Sequence, residues 1–297
     1  MKYDLYSLQL FLAVALHENI AKAAEAQNIA ASAVSKRISD LEQSIGTPLL
    51  YRRQRGVGLT PAGQELFRYA QSIDRMVEEM EANMSEFADG LRGHIRIAAN
   101  TSAITQFLPE DLAEFVEIHP DLRLELTELT SDSIVTAVKE GLADVGIFSG
   151  MVDAQDLDVV TYRQDTLVVI APRGHSIGSL ANARLCDIAG HSLVGLQTGS
   201  SLKAFLTAEA AKQGSRLRTR VEVVSFDGVR RMVEAGLGIA VLPHGAAEPY
   251  LESSNLVLVP INEPWATRCL KLGVRARGAV NRPIRLLIEH LLASNTL

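Results

Sequence analysis

The stretch over residues 19–63 constrains this chain more than any other. It reads NIAKAAEAQNIAASAVSKRISDLEQSIG and then TPLLYRRQRGVGLTPAG. Asn19 stands where it can cap an alanine-rich helix over 20–26, whose small side chains let neighbouring helices approach closely. A second helix is predicted over about 31–45, with Val34, Ile38, Leu41 and Ile45 facing inward and Gly46 ending it. Ahead of both, Leu5, Leu8, Leu12 and Leu16, joined by Phe11 and Ala15, repeat at helical spacing and predict a first core helix. The loop over 50–60 then carries Arg52, Arg53 and Arg55 with no acid, and Gly56 and Gly58 permit the tight turn of a β-wing. Three short helices and a basic wing read as a winged helix-turn-helix, a device for reading DNA.

The third helix opens with Ser32, Ser35, Lys36 and Ser39 on its exposed face. These are short donors and one cation, placed where a recognition helix meets base edges and phosphates. The wing would lay Arg52, Arg53 and Arg55 along phosphates or into a minor groove. The chain as a whole has a formal net charge of −6 over 297 residues, which excludes a protein that is basic all over. Residues 1–60 nevertheless carry seven lysines and arginines against five acids, so the positive surplus sits where DNA contact is expected.

The apolar run over 8–16 (LQLFLAVAL) has the texture of a signal-peptide core, with Ala13-Val14-Ala15 as a cleavage site. Asp4 lies in what should be a positive leader and Gln9 interrupts the run, so we read a buried helix, no export signal and a cytoplasmic protein. No stretch of about 18 apolar residues predicts a membrane span. Cys186 and Cys269 lie far apart without metal-ligand spacing and are expected to be free, buried thiols.

Thr60-Pro61 is a helix start, with Thr as N-cap and Pro at the first helical position. Leu66, Tyr69, Ile73, Met76, Met80, Met84 and Phe87 then repeat in steps of three and four along about 40 Å of helix at 1.5 Å per residue. A seam this exposed calls for a partner, and a second copy of the same helix would hold two reading heads on two half-sites. The alternative is that the seam packs on its own chain.

Beyond His94, strand-like runs at 95–98, 122–127, 145–148, 159–162, 167–171, 192–196, 220–224, 239–242, 256–259 and 269–275 alternate with helical patterns at 103–118, 133–140, 202–213, 228–235 and 284–292. Such alternation predicts an α/β region with largely parallel sheets, and so many strands predict two subdomains. The whole is an α+β multi-domain chain: a winged helix-turn-helix over 1–60, a linker helix over 61–90 and an α/β sensor over 91–297.

These residues resemble the LysR-type transcriptional regulators over the whole chain. The resemblance rests on Ala23-Ala24, Ala33-Val34-Ser35, Leu41-Glu42, Gly46-Thr47-Pro48-Leu49, Arg52 and Leu59-Thr60-Pro61-Ala62-Gly63. In the second half it rests on Leu108-Pro109, on GLADVG over 141–146 and on VEAGLGIAVLP over 233–243. It implies a periplasmic-binding-protein-like effector domain, with subdomain one over about 91–162 and 268–297 and subdomain two over about 163–267. It also implies double-stranded promoter DNA and a small-molecule effector as partners, and self-association as a homodimer or homotetramer, with no cofactor. The chain departs from the family at Gln27, usually Leu, and at Ala30-Ala31, usually Ser-Gln, a helix cap and a DNA contact. Those losses shift the expected readout to Ser32, Ser35, Lys36 and the wing, with Ser32 as a substitute cap if the helix starts later.

In folds of this kind a ligand sits at the carboxyl ends of strands. Four turns there follow strands and precede helices, and three of them hold hydroxyls: Asn100-Thr101-Ser102, Thr130-Ser131 and Thr198-Gly199-Ser200-Ser201, with Phe226-Asp227 the fourth. Hydroxyls and free helix N–H groups suit a carboxylate or another anion. The expected effector residues are Thr101, Ser102, Thr130, Ser131, Thr198, Gly199, Ser200, Phe226 and Asp227, with Phe148 at the end of its strand. Simple N-capping is the competing reading of each turn.

An enzyme finds little support. The run GHSLVG over 190–195 lacks the glycine that a nucleophile elbow needs at 194, where Val194 stands. Gly236-Leu237-Gly238 lacks the third glycine of a dinucleotide loop and precedes a strand. The seven histidines are scattered, none at i,i+4 from another, and imply no metal site. A plain solute-binding protein of the same α/β fold is the other rival, and the N-terminal 90 residues argue against it.

Overall fold

A computed structural model describes residues 4–53, 56–88, 93–276 and 280–293. The chain divides into two compact units, one from Met1–Gly90 with Glu140–Leu142 and the other from Leu91–Lys139 with Ala143–Leu297.

In the first unit α1 (Leu5–His17) starts on Asp4, whose carboxylate accepts from the Ser7 N–H at 2.9 Å and the Ser7 hydroxyl at 2.8 Å. The expected stripe is partly out of phase: Leu5 and Leu16 are exposed, while Leu10, Ala13 and Val14 are buried. The cause is that α1 is covered on two sides. Leu10, Phe11 and Val14 join the core under the next two helices, while Leu8 and Leu12 pack on Ala70, Leu66, Phe67 and Ile73 of the long helix. Asn19 caps α2 (Ile20–Ala26) as expected, accepting from the N–H groups of Ala21 and Lys22. Helix α3 (Ala31–Ile45) buries Val34, Ile38 and Leu41 and ends at Gly46, whose φ of +84° is open to glycine at little cost. It starts at Ala31 on an Ala30 that supplies no side-chain cap, so Ser32 lies inside the helix and does not take over the capping.

The Glu42 carboxylate accepts from the N–H groups of Leu49 and Leu50, fixing the entry to the wing. Strands β1 (Leu50–Arg53) and β2 (Gly56–Leu59) pair antiparallel, Leu50 opposite Leu59 and Arg53 opposite Gly56. Thr60 accepts from the Gly63 N–H at 3.0 Å and donates to the Pro48 carbonyl at 2.8 Å, opening α4 (Pro61–Ala88). The first turns of α4 pack on α1, so the own-chain alternative holds there. Farther along, Tyr69, Met76, Met80 and Met84 are each more than half exposed. The side chain of Phe87, the last seam residue, lies outside the described residues.

The second unit is built on β3 (Gly93–Ala99), α5 (Thr101–Gln106), α6 (Leu108–Ile118), β4 (Leu122–Glu128), α7 (Ser131–Glu140), β5 (Val145–Ser149), β6 (Leu157–Pro172), α8 (Leu185–Ala189), β7 (Ser192–Leu196), α9 (Ser201–Lys212), β8 (Arg218–Val223), α10 (Phe226–Glu234), β9 (Ala240–Pro243), α11 (His244–Ala247), β10 (Leu256–Pro260), β11 (Thr267–Arg275) and α12 (Arg282–Ala293). The sheets are mixed, which corrects the largely parallel expectation. β3 pairs parallel with β4 and β5, and β7 pairs parallel with β8, but β11 runs antiparallel to both β5 and β6. The separate strands expected at 159–162 and 167–171 are one strand, β6, of 16 residues. Its first part pairs with β11 from Leu157 opposite Arg275 to Thr166 opposite Thr267, and its second part runs antiparallel between β9 and β10. Two lobes result, each with its own core, joined along β6 and β11. The single helix expected over 103–118 is two, because Pro109 has no N–H to donate and its ring obstructs the carbonyl four residues back.

Tyr162 is fully buried in the first lobe, and its hydroxyl donates to Asp111 at 2.5 Å. Burial, reinforced by that carboxylate, pushes the phenol far above its ordinary range. Arg163 pairs with the same carboxylate at 3.0 Å, binding α6 to β6. Among the described residues no helix is long and apolar enough to cross a membrane. Cys186 is exposed and Cys269 half-buried; both are free as expected, but neither is a fully buried thiol.

Candidate DNA-reading face and effector cleft

Ser32, Ser35, Lys36 and Ser39 are all exposed, and their i, i+3, i+4, i+7 spacing puts them on one face of α3. None of their side chains bonds to another described residue. Arg37, between them in sequence, turns the other way: it pairs with Asp4 at 3.4 Å and its guanidinium lies over the Tyr6 ring at 5.1 Å. A face of unpaired donors is available to a ligand without first breaking internal bonds.

The wing differs. Arg53 donates to the Tyr51 hydroxyl at 2.7 Å, stacks over that ring at 5.2 Å and reaches Glu18 at 3.4 Å. Tyr51 and Arg53, two apart on a strand, share a face. Sequence reasoning misses both Tyr51 and Glu18, although the period-two spacing around Arg53 carries the signal for the first. The carbonyl of Glu18 accepts from the Val57 N–H at 2.9 Å, so this turn anchors the wing as well. Arg55, and the side chain of Arg52, lie outside the described residues.

In the second unit, the four turns converge on one cavity of about 700 Å³ between the lobes. Thr101, Ser102 and Thr130 line it from the first lobe, and Thr198, Gly199, Ser200, Phe226 and Asp227 from the second. Two expected residues are elsewhere. Ser131 is fully buried because its hydroxyl is occupied, accepting from the Ser149 N–H at 3.1 Å and from Asn100 at 3.4 Å. Phe148 is core, packed with Ile134, Val138 and Leu157. Each supports the cleft from beneath.

Capping and lining prove compatible. Asn100 caps α5 through the Ala103 N–H, and Ser225 caps α10 through the Gly228 N–H, while both line the cavity. Helices α7 and α9 also begin at its wall, so several positive dipole ends face the space. Ser200 gives α9 no side-chain cap bond, leaving first-turn N–H groups open. The acids present are engaged: Glu128 accepts from the Thr101 hydroxyl at 2.5 Å, and Asp227 pairs with Arg230, whose guanidinium lies 4.2 Å from the Tyr250 ring centre. Below the cleft, Arg268 forms a buried ion pair with Asp165 and donates to the Ser102 hydroxyl at 3.4 Å. Tyr250, Gln197, Glu128 and the Arg268–Asp165 pair carry no local sequence signal.

A winged helix-turn-helix and a cleft-bearing α/β sensor on one chain define a transcriptional regulator with a DNA-binding and an effector-binding part. Residues 5–64 match the family model for the bacterial regulatory helix-turn-helix protein of the lysR family, and residues 88–296 match the LysR substrate binding domain. The chain belongs to the LysR family of transcriptional regulators. It is 26% identical over 283 residues to YbhD, an uncharacterised HTH-type transcriptional regulator of Escherichia coli K12, covering 95% of this chain and 89% of that one. It is 28% identical over 261 residues to the RuBisCO operon transcriptional regulator of Allochromatium vinosum, covering 88% and 86%. In fold it is similar to full-length CbnR complexed with its target DNA, with a TM-score of 0.75 at 21% identity, covering 98% of this chain and 100% of that one. Full-length BenM is similar at a TM-score of 0.61 and 26% identity, covering 97% and 95%.

Proposed function

We infer that this regulator binds double-stranded promoter DNA through α3 and the wing and takes a small anion into the cleft between its lobes. The observation that carries the first half is the face of Ser32, Ser35, Lys36 and Ser39, exposed and free of internal partners beside a basic wing. Ser35 and its neighbours read base edges, and Arg53, with Arg52 and Arg55, holds phosphates. For the second half, cleft hydroxyls and helix N-termini supply donors while the carboxylates present are already bonded, which favours an acceptor-rich effector. The parts are a reader over 1–60, a linker helix over 61–90 and a sensor over 91–297, with lobe one over about 91–162 and 268–297. The seam of Tyr69, Met76, Met80 and Met84 joins two copies, and further pairing gives a tetramer. The chain senses and does not catalyse, and it works in the cytoplasm, where its DNA is.

Salt-titrated binding to a promoter fragment tests the reading. Arg53→Ala should weaken binding to cognate and random DNA alike, and Ser35→Ala should hurt the cognate site more. Equal losses on both kinds of DNA for Ser35→Ala would show that the reader is misplaced.

A further inference from the structure

A second cavity, of about 340 Å³, lies inside the second lobe between α9 and the β7–β8 pair. Its floor is apolar, built by Leu193 of β7, Leu206 of α9, Val229 of α10 and Val241 of β9, while Thr207, Ser215 and Thr219 stand nearer its mouth. Space survives there because Gly195 and Ala210, which also face it, are too small to fill it. At about 30 Å³ per water-sized group, the volume holds on the order of ten non-hydrogen atoms. The apolar floor leaves water few partners, so the deeper part of the space favours an apolar group over solvent.

The rim carries two cations, and Lys203 is already spent on Glu222 at 2.6 Å, which leaves Arg216. Arg216, in the turn between α9 and β8, borders the cavity, is exposed and pairs with no described residue. The acids nearest it along the chain are committed, Glu209 to Lys212 and Glu222 to Lys203, each at 2.6 Å. A planar guanidinium without an internal acid is matched by a carboxylate, which it holds through two parallel bonds.

We propose that this cavity is a second small-molecule site, taking an amphipathic monocarboxylic acid with its alkyl or aryl body between α9 and β7 and its carboxylate on Arg216. The site is separate from the effector cleft and does not depend on what the cleft binds. Leu196 and Leu202 nonetheless line both cavities, so an acid lodged here presses on the first turn of α9, which borders the cleft.

Calorimetric titration of the full chain with octanoate, and with octanol as its uncharged counterpart, tests the proposal. Octanoate should bind saturably, and Arg216→Gln should weaken it roughly tenfold, the worth of a charge-assisted hydrogen bond, while leaving octanol unchanged. Ala210→Leu should abolish binding of both by filling the space. Thr130→Ala, in the cleft and on the other lobe, should leave octanoate affinity as it was. Absence of saturable binding, indifference of octanoate to Arg216→Gln, or loss of octanoate with Thr130→Ala would each overturn the proposal. The Arg216→Gln comparison stands alone if Ala210→Leu does not fold, because an exposed arginine is not needed for the core.

Discussion

The wing offers a sharp test at Gly56. Its φ is +101°, and a Cβ built there would lie 2.2 Å from the Glu18 carbonyl oxygen, closer than real Cβ atoms come. The obstacle is backbone, so no side chain can swing aside. The same oxygen accepts from the Val57 N–H at 2.9 Å, and Glu18 itself sits at a φ of +46°. In Gly56→Ala, the strained φ costs about 1–2 kcal/mol. Clearing the oxygen breaks the Val57 bond at a net cost of about 1 kcal/mol. Together that is about 2–3 kcal/mol against the docked wing, with 1.4 kcal/mol per factor of ten. An undocked wing carries Arg53 away from its place. Fluorescence anisotropy with a promoter fragment and a random duplex at several salt concentrations reads the result. Affinity should fall on both DNAs, and the salt slope should flatten by about 0.9 for each phosphate that the wing no longer neutralises. The preference for the cognate site should survive, since α3 is untouched. Unchanged affinity and slope in a folded Gly56→Ala protein would refute the reasoning that the wing is docked through Glu18 and contributes to binding.

Two further perturbations are independent of DNA. Asp165→Asn leaves the Arg268 guanidinium buried without its counter-charge, at a cost of about 3–5 kcal/mol. Denaturant unfolding should show that loss, and a double change replacing Asp165 and Arg268 by apolar residues should recover most of it; a loss below about 1 kcal/mol would mean that the pair is solvated. His175 is held below its ordinary value of 6.5 by burial and by His191, whose ring centre is 4.8 Å away. Its Nδ1 accepts from the Ile177 N–H, which requires that nitrogen to be unprotonated. The folded chain therefore disfavours the imidazolium, and below pH 6.5 the unfolded chain binds more protons. Stability present above that pH is lost as pH falls from it through the lower folded value, and His175→Gln should flatten this part of the pH–stability profile. An identical slope in the variant would remove His175 as the cause.

The reading unit is legible in the sequence because its signals are local. Asn19, Gly46 and Thr60-Pro61 act on their own or neighbouring peptide groups, and the helix over 31–45 and the wing lie where those residues put them. The sensor is less legible where a long-range partner reverses a local preference. Arg163, Gln164, Asp165 and Thr166 read as a polar break between two strands, yet β6 runs straight through them. Arg268, opposite Asp165 on β11 and remote in sequence, supplies the charge that lets the carboxylate be buried. The burial of Leu10 and Val14 in place of Leu5 and Leu16 has the same kind of cause, since one helix alone does not reveal that two sides of it will be covered.

The candidate sites divide along the same line. Residues on one face of one helix, Ser32, Ser35, Lys36 and Ser39, follow from the helical period, and the structure leaves them exposed. The four turns of the cleft are recognisable as helix starts, three of them holding hydroxyls, because capping chemistry is written in adjacent residues. Which of those groups face the space is decided by packing: Ser131 and Phe148 turn under it, while Tyr250 and Glu128 come to its wall. Sequence alone carried the class of protein, through the motifs it shares with the family, and the helices and helix starts of the first unit, since periodicity and caps act over a few residues. Tertiary structure alone decided the lining of the cleft, the buried Arg268–Asp165 pair and the apolar cavity beneath α9, since each depends on side chains brought together from distant parts of the chain.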